Sequence, residues 1–569
     1  MRIISLHCDY IRFKPLKKAI KEPEEISDKE EKEVKEPLVV LMAVEKGDND
    51  GSVNELVDSV SKTAKEVGAK NIVLYPYAHL SSNLSSPSVA LEILKKVHKM
   101  VEKKGFNVVH APFGYYKEFE LKCKGHPLSE LSKEFVVSRA GSGGKVVEEE
   151  YDTERLLREI SRTKLDTSKL KENDHRILGQ KLDLFSFNEA APGQPFWHAN
   201  GQTIWNELMN FERSINKKFN YQEISTPYIL DNRVWKISGH WDHYKNNMFI
   251  TEFENNKSGI KPMNCPGMML VYKTKTRSYK DLPLRLFEFG TVHRKELSGV
   301  LAGLLRVIKI TQDDAHIFCT REQIEQEINS ILEIIKIIYK DTFGFSYRME
   351  LSTRPDKFMG EKKDWDISEK SLESVLKNKK INYKVNKGDG AFYGPKIDLH
   401  VKDSLGREWQ CSTIQLDMQM PSRFGVVYTD KNNKIQTPIV IHRAVFGSLE
   451  RFIGILLEHL NGNLPVWLSP VQMRAMSFTD RNRKAVEKFV GEIKEEIPGL
   501  RIDADLESSQ VSEKVRNAEI QKIPYIIVIG DKEEEANTLA VRERGQKVKF
   551  GVKTSEFVKD VREKIERRN

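Results

Sequence analysis

The sequence predicts a multidomain protein of mixed α/β and α+β class, and three observations carry that prediction. At roughly 150 residues per domain, 569 residues allow three or four domains. Both ends of the chain alternate strand-like and helix-like periodicities, the signature of α/β units. Between them lies a stretch rich in tryptophan, methionine and proline in which strands outnumber helices. A hydrophobic content of 39% against 31% charged residues is that of a globular chain, too apolar for a disordered one. No run approaches the roughly 18 apolar residues of a membrane span. Asp9 and Arg12 stand where a signal peptide would be apolar, so the N-terminus reads as a strand. Five scattered cysteines (8, 123, 265, 319 and 411) argue against a disulfide framework and for a reducing cytosol, so a cytoplasmic protein is expected. The net charge of +9 permits a polyanionic partner without requiring one.

The first domain is placed at 1–142. Its strands are an N-terminal run within 1–20 and the β-branched segments at 37–44, 71–80 and 106–113. The helices between them, NELVDSVSKTAKEVG and SVALEILKKVHKMVEKKG, carry apolar residues at helical spacing and stop at glycine. The mixed-charge run 21–37 reads as a solvated loop or helix. The glycine–serine cluster SRAGSGGKVV (138–147) marks a boundary, and 143–180 is assigned as a helical linker. The central domain spans 181–464. A last α/β domain, 465–569, is read as strand 471–478, helix 480–494, strand RIDAD, helix 511–522, strands YIIVIGD and TLAVRERG, and a final amphipathic helix.

Three central segments stand out. The helix GQTIWNELMNFERSINKKF leads into a strand, NYQEISTP, that ends at Pro227. A long hairpin pairs LRLFEFGTVHRKE with LLRVIKITQDDAHIF and places Arg294, Glu296 and Arg306 near its turn, where a planar guanidinium suits phosphate oxygens. A strand runs into an apolar helix in IVIHRAVFGSLERFIGILLEHL. Taken singly, each is an ordinary core element or ion-paired hairpin.

In this order the three resemble motifs 1, 2 and 3 of the class II aminoacyl-tRNA synthetases. The blocks PMNCPGMM (262–269), TQDDAHIF (311–318), GAFYGPKID (390–398), WQCSTIQLDMQMPSRF (409–424) and IHRAVFGSLERF (441–452) narrow the resemblance to the threonyl-tRNA synthetase family. That resemblance implies an antiparallel-sheet catalytic domain with Cys265, His316 and His442 as ligands of one Zn²⁺. Spacing alone does not reveal such a site, but one thiolate and two imidazoles suit zinc and leave coordination open for substrate. It further implies that Arg294 meets the α-phosphate and substrate carboxylate, Glu296 the adenine amine, and Arg306 the γ-phosphate. Arg451 would lie over adenine, with Lys396, Tyr393, Gln312, Gln410, Gln415 and Ser448 lining the adenylate site. Met263 and Asp314 belong to the amino-acid pocket. ATP with Mg²⁺, L-threonine and tRNA(Thr) are the implied partners, a homodimer the implied assembly, and no membrane is implied. Where the family usually stacks an aromatic on adenine this chain has Ile310, so weaker ATP binding is expected. A catalytically silent tRNA-binding regulator would have lost these arginines or ligands, and all are present.

A zinc site that seeks a hydroxyl cannot exclude serine, because one methyl group is worth only about 1–3 kcal/mol. A second, hydrolytic site is therefore expected. HCDYIRF, VEKGD, LYPYAHLSS and GYYKEFELKCKGHPLSEL resemble the editing domain of archaeal members of the family, which is similar in fold to D-aminoacyl-tRNA deacylase. The resemblance assigns His79, Tyr116, Lys117 and Glu130 to a mischarged ester, with Cys8 where serine is common. GDKEEEANTLAVRERG resembles the anticodon-binding domain shared by several class II synthetases, implying Arg516, Lys522, Glu533 and Arg542 as base contacts. Lys522 and Ser508 depart from the usual arginine and asparagine.

Overall fold

The computed structural model describes residues 1–20, 23–26, 30–81, 83–135, 153–160, 170–253, 256–403 and 406–568. It divides into two compact units, 1–150 and 151–569.

In the first unit a 17-residue strand, Arg2–Lys18, organises a seven-stranded sheet. It pairs antiparallel with Pro37–Ala43, which continues in parallel through Asn71–Pro76 to Asn107–His110. Two helices make the parallel crossovers, Asp50–Glu66 and Pro87–Lys103. The first begins in a capping box, where Asn49 accepts from the Gly51 N–H and Ser52 closes back on Asn49. Val53, Leu56, Val57 and Val60 recur at helical spacing and pack with Ile93, Leu94, Val97 and Val101. Each such side chain stabilises the unit by about 1.5–3 kcal/mol. The charged run departs from the loop or helix expected of it. Lys32–Lys35 is an edge strand on Arg2–Lys18, with Val34 packed inward while the lysines and glutamate face out, as edge strands require. Tyr115–Cys123 and Glu130–Glu134 also pair with Arg2–Lys18, strands that the periodicity did not single out.

Of the expected linker 143–180, residues 143–152 and 161–169 lie outside the described residues. Thr153–Ile160 is helical. His175–Lys181 begins a second helix whose Leu178 is buried in the core of the central domain, so this end of the linker is packed rather than free.

The central domain is built on eight strands in the order Gln222–Glu223, Leu284–His293, Lys309–Cys319, Ile439–Ala444, Glu408–Asp417, Lys396–Lys402, Tyr347–Ser352 and Tyr383–Asn386. The six inner strands are antiparallel and both edge strands parallel to their neighbours. The strand expected before Pro227 shrinks to Gln222–Glu223 at the edge, and the helix before it, Ala199–Lys218, buries Ile204, Leu208, Phe211 and Ile215. Side chains alternate across a sheet. Ala315, Ile317, Ile414, Leu416 and Ile441 therefore enter the main core, which leaves Gln312, Asp314, His316, Gln415 and His442 on the opposite face.

The last domain is a five-stranded sheet in the order Ile502–Asp505, Met473–Ser477, Tyr525–Ile529, Thr538–Glu543 and Lys549–Lys553, the first three parallel. Lys549–Lys553 was not anticipated from the sequence. Arg501 joins this domain to the helix Ala199–Lys218 through Glu207 at 2.8 Å.

Candidate functional site

A cavity of about 260 Å³ opens on the polar face of the central sheet. Among the residues assigned by resemblance, Met263, Cys265, Arg294, Gln312, Asp314, Tyr393, Lys396, Gln410, Gln415, His442, Ser448 and Arg451 line it, as does Ile310. Residues drawn from positions nearly 190 apart thus meet in one space.

Three elements bring the metal-ligand candidates together. His316 and His442 are direct cross-strand partners, their ring centroids 4.4 Å apart. Cys265 is the first residue of the helix Cys265–Tyr272, whose early Pro266 costs no hydrogen bond in a first turn. The sulfur and one nitrogen from each ring lie within 4.8 Å of one another. Neither nitrogen of buried His316 has a hydrogen-bond partner among the described residues, and Asp314 at 3.6 Å is too far to count as one. Burial pushes the Cys265 thiol up and holds His316 well below the usual imidazole range, so the ring stays a neutral donor. His442 Nε2 lies 2.9 Å from Asp417 Oδ2; a proton donated there leaves Nδ1 as the free lone pair. One nitrogen from each ring beside a thiol, with the His316 nitrogens otherwise unpartnered among the described residues, fits a tetrahedral thiophilic cation such as Zn²⁺.

Asp314 is set against this group. Burial raises its carboxyl to about 6, and the Asn264 amide donates to Oδ2 at 2.9 Å. Gly290 makes room for that amide, since a Cβ there would lie 2.4 Å from Asn264. Met263 Sδ rests 2.9 Å from His240 Nε2.

The cavity wall that carries Arg294 and Arg451 is held by backbone. Arg451 donates to Leu305 O at 2.8 Å and Gln410 O at 2.6 Å, and its guanidinium lies 5.4 Å from the Trp409 ring centre. Arg294 donates to Pro262 O at 3.1 Å, and Lys396 pairs with Asp398 at 2.6 Å. Ser448 caps the helix Leu449–His459 by accepting from the Arg451 N–H, and Gln415 donates to Gly394 O. Glu296 and Arg306 are not among the cavity-lining residues; they pair with each other at 2.9 Å.

Sequence reasoning missed the residues that shape the turn after Ala444. Asp313 accepts from the Val445, Phe446 and Gly447 N–H groups at 2.7, 2.9 and 2.8 Å. Arg443 donates to Glu212 at 2.9 Å, also binds Asn216, and lies over the Tyr221 ring. Gly447 has φ +78°, and a Cβ there would lie 1.9 Å from Cys411 O. The available signal was the alternation of the sheet, which turns Asp313 and Arg443 toward the core.

In the first unit a mostly apolar cavity of about 530 Å³ is lined by His79, Tyr116 and Lys117, with Tyr75 and Phe113. Glu130 does not line it and is exposed on the strand Glu130–Glu134; Cys8 does not line it either, and burial pushes its thiol up to about 12. Lys117 Nζ donates to Pro112 O at 2.9 Å and Tyr115 O at 3.1 Å, 5.1 Å from the Tyr75 ring centre, and burial lowers its pKa to about 8.

In the last domain Arg516, Glu533 and Arg542 line one cavity together with exposed Phe478 and Phe550, aromatic faces that sequence reasoning did not single out. Lys522 lies elsewhere, in a separate cavity beside Lys181 and Arg474, and its backbone is left-handed (φ +57°).

Residues 1–135 match the family described as the archaea-specific editing domain of threonyl-tRNA synthetase. Residues 249–460 match the tRNA synthetase class II core domain (G, H, P, S and T), and 466–564 an anticodon binding domain. A threonine–tRNA ligase of Clostridium tetani is 50% identical over 398 residues, 70% of this chain and 62% of the relative; the chain therefore spans about three fifths of the length of such curated relatives. Two solved structures are similar. The RNA binding domain of a threonyl-tRNA synthetase from Cryptosporidium parvum superposes with a TM-score of 0.66 at 38% identity, over 68% of this chain and 98% of that one. A putative threonyl-tRNA synthetase from Aeropyrum pernix gives 0.62 at 30% identity, over 69% and 96%.

Proposed function

Because the chain belongs to the threonyl-tRNA synthetase family, we propose that it activates L-threonine with ATP, transfers it to tRNA(Thr), and clears seryl-tRNA(Thr) in its first unit. The observation that carries this reading is the convergence of Cys265, His316 and His442, with Cys265 and His442 on the wall of a cavity that Arg294 and Arg451 also line and His316 buried behind it. Those three residues would hold zinc, which when bound would supply Lewis-acid chemistry toward the amino group and side-chain hydroxyl of threonine.

The remaining work is positioning and charge neutralisation. Asp314, oriented by Asn264, accepts from the substrate hydroxyl. Valine, alike in shape, would leave that carboxylate without its substrate donor, Asn264 alone remaining, a difference worth roughly 10⁴–10⁵ in selectivity. Arg294 pairs with the substrate carboxylate and the α-phosphate as the carboxylate oxygen attacks and pyrophosphate departs. Arg451 covers the adenine, Glu296 meets its amine, and Arg306 meets the γ-phosphate once their mutual ion pair opens. ATP enters with Mg²⁺. The adenylate then passes its threonyl group to the tRNA 3′ end, while Arg516, Glu533 and Arg542 contact anticodon bases and Phe478 and Phe550 offer them stacking faces. A cytoplasmic homodimer completes the reading. No described helix is long and apolar enough to cross a membrane.

ATP–pyrophosphate exchange with threonine, serine and valine compared, together with metal analysis of the purified protein, tests the reading. Exchange that does not respond to threonine would overturn it.

Two smaller predictions arise at these sites. Ile310→Phe is expected to lower the KM for ATP by about two- to tenfold, since an aromatic face adds about 0.5–1.5 kcal/mol over aliphatic cover. An unchanged or higher KM would count against Ile310 as the ring's neighbour. In the first unit, an ammonium at Lys117 steadies the ester oxyanion or the attacking water. With its pKa lowered to about 8, the charged form prevails below that pH and is lost as pH rises through it. The Lys117-dependent part of seryl-tRNA hydrolysis should therefore decline above pH 8, and Lys117→Ala should lose roughly 10²–10⁴-fold. Clearance by Lys117→Ala at the wild-type rate would remove the assignment.

A further inference from the structure

One buried cluster plays no part in the chemistry above: Asp174, His175 and Glu458, with donor atoms within 4.8 Å of one another. Both nitrogens of His175 are engaged. Nδ1 lies 2.7 Å from Glu458 Oε1, and the Leu304 N–H donates to Nε2 at 3.1 Å. A nitrogen that accepts from a backbone N–H carries no proton, so the ring is the Nδ1–H tautomer donating to Glu458. Glu458 Oε1 also accepts from the His175 N–H at 3.2 Å, and Asp174 pairs with the Arg176 guanidinium at 2.9 and 2.8 Å. These bonds tie backbone segments together instead of presenting open donors to a cation.

Three elements meet at His175: its own helix His175–Lys181, the C-terminal turn of Leu449–His459, and the turn Gly303–Leu305 that runs into Arg306. The far side of that turn is held by Arg451, which donates to Leu305 O. Gly303 adopts φ +55°, and a Cβ there would lie 2.3 Å from His175 Nε2. The glycine lets the imidazole reach the next N–H along.

We propose that His175 is a positioning residue for nucleotide binding, its Nε2 holding the Gly303–Leu305 turn so that Arg306 is presented to the terminal phosphates of ATP. The inference rests on the ligase reading for the identity of the nucleotide. It is tested on full-length, zinc-loaded protein by the dissociation constant for ATP with Mg²⁺, measured by calorimetry, beside threonine-dependent exchange. His175→Asn keeps an amide donor for Glu458 but has no acceptor at the Nε2 position, whereas His175→Gln carries an amide oxygen there. His175→Asn should raise both Kd and KM for ATP about tenfold, leave kcat at saturating ATP and the KM for threonine within about twofold, and speed amide exchange at Leu304. His175→Gln should return the ATP Kd to within about threefold of wild type. A lowered Tm with unchanged ATP affinity would make His175 merely structural and overturn the proposal. If His175→Asn does not fold, Gly303→Ala must raise the ATP Kd in the same way, and an unchanged value there also overturns it. Failure of the ligase reading shows separately, as a wild-type protein that binds ATP yet shows no threonine-dependent exchange.

Discussion

Cys265→Ala is expected to abolish stoichiometric zinc and to reduce the preference for threonine over valine from roughly 10⁴–10⁵ to about tenfold or less. The reason is the geometry of the pocket. On the proposed reading, side-chain recognition would rest on a cation held by Cys265, His316 and His442 and on Asp314, while neighbours such as Met263 and Tyr393 would supply shape, which valine satisfies as well as threonine does. Without a cation, both nitrogens of His316 stay buried and unpaired and the cost falls on the apo protein. Zinc content by mass spectrometry and kcat/KM for both amino acids in pyrophosphate exchange give the answer. Asp417→Asn provides a graded companion. It weakens the carboxylate that orients His442 and should lower zinc affinity by roughly 10–100-fold, with activity restored at high zinc. Undiminished threonine selectivity in metal-free Cys265→Ala protein would defeat the zinc-centred account.

The second large effect is expected of Arg443→Met. Arg443 is fully buried beneath the central eight-stranded sheet, bonded to Glu212 and Asn216, with Asp313 at 3.4 Å. Burial drives the Glu212 and Asp313 carboxyls upward in pKa, and the Arg443 guanidinium opposes that drive. Removing the cation leaves two carboxyl groups buried together without their counter-charge, a loss of about 3–5 kcal/mol. Asp313 also gathers the three N–H groups of the turn that delivers Ser448 and Arg451, so activity should fall along with stability. The midpoint of the catalytic unit in urea, followed by tryptophan fluorescence, measures the loss. Adding Glu212→Gln should recover part of it, because a neutral amide tolerates burial without a cation. A midpoint within experimental error of wild type would show that the charges are paired elsewhere.

These two cases divide differently between sequence and structure. Cys265, His316 and His442 were reachable from the sequence, but only through blocks resembling a known family, because 51 and 126 residues separate successive members and no local spacing points to a shared ion. Arg443 and Asp313 stood inside the same blocks and drew no attention. Each is adjacent to a site residue in sequence, yet the pleat turns it to the other face. Lys522 was grouped with Arg516, Glu533 and Arg542 by resemblance to the family, and it lines another cavity.

By itself the sequence indicated most of the elements of the two terminal α/β regions, because helical spacing, stop signals and alternation are local properties, while the three central segments became motifs only through their resemblance to a known family. The charged edge strand Lys32–Lys35 escaped it, as did Tyr115–Cys123, Glu130–Glu134 and Lys549–Lys553, since strand pairing depends on a partner that local pattern does not record. Only the tertiary structure decided which side chains share a cavity, which carboxylates are bonded to backbone, and how His175 reaches the turn before Arg306. Those outcomes rest on strand register and burial, and both arise between segments remote in sequence, where no local pattern records them.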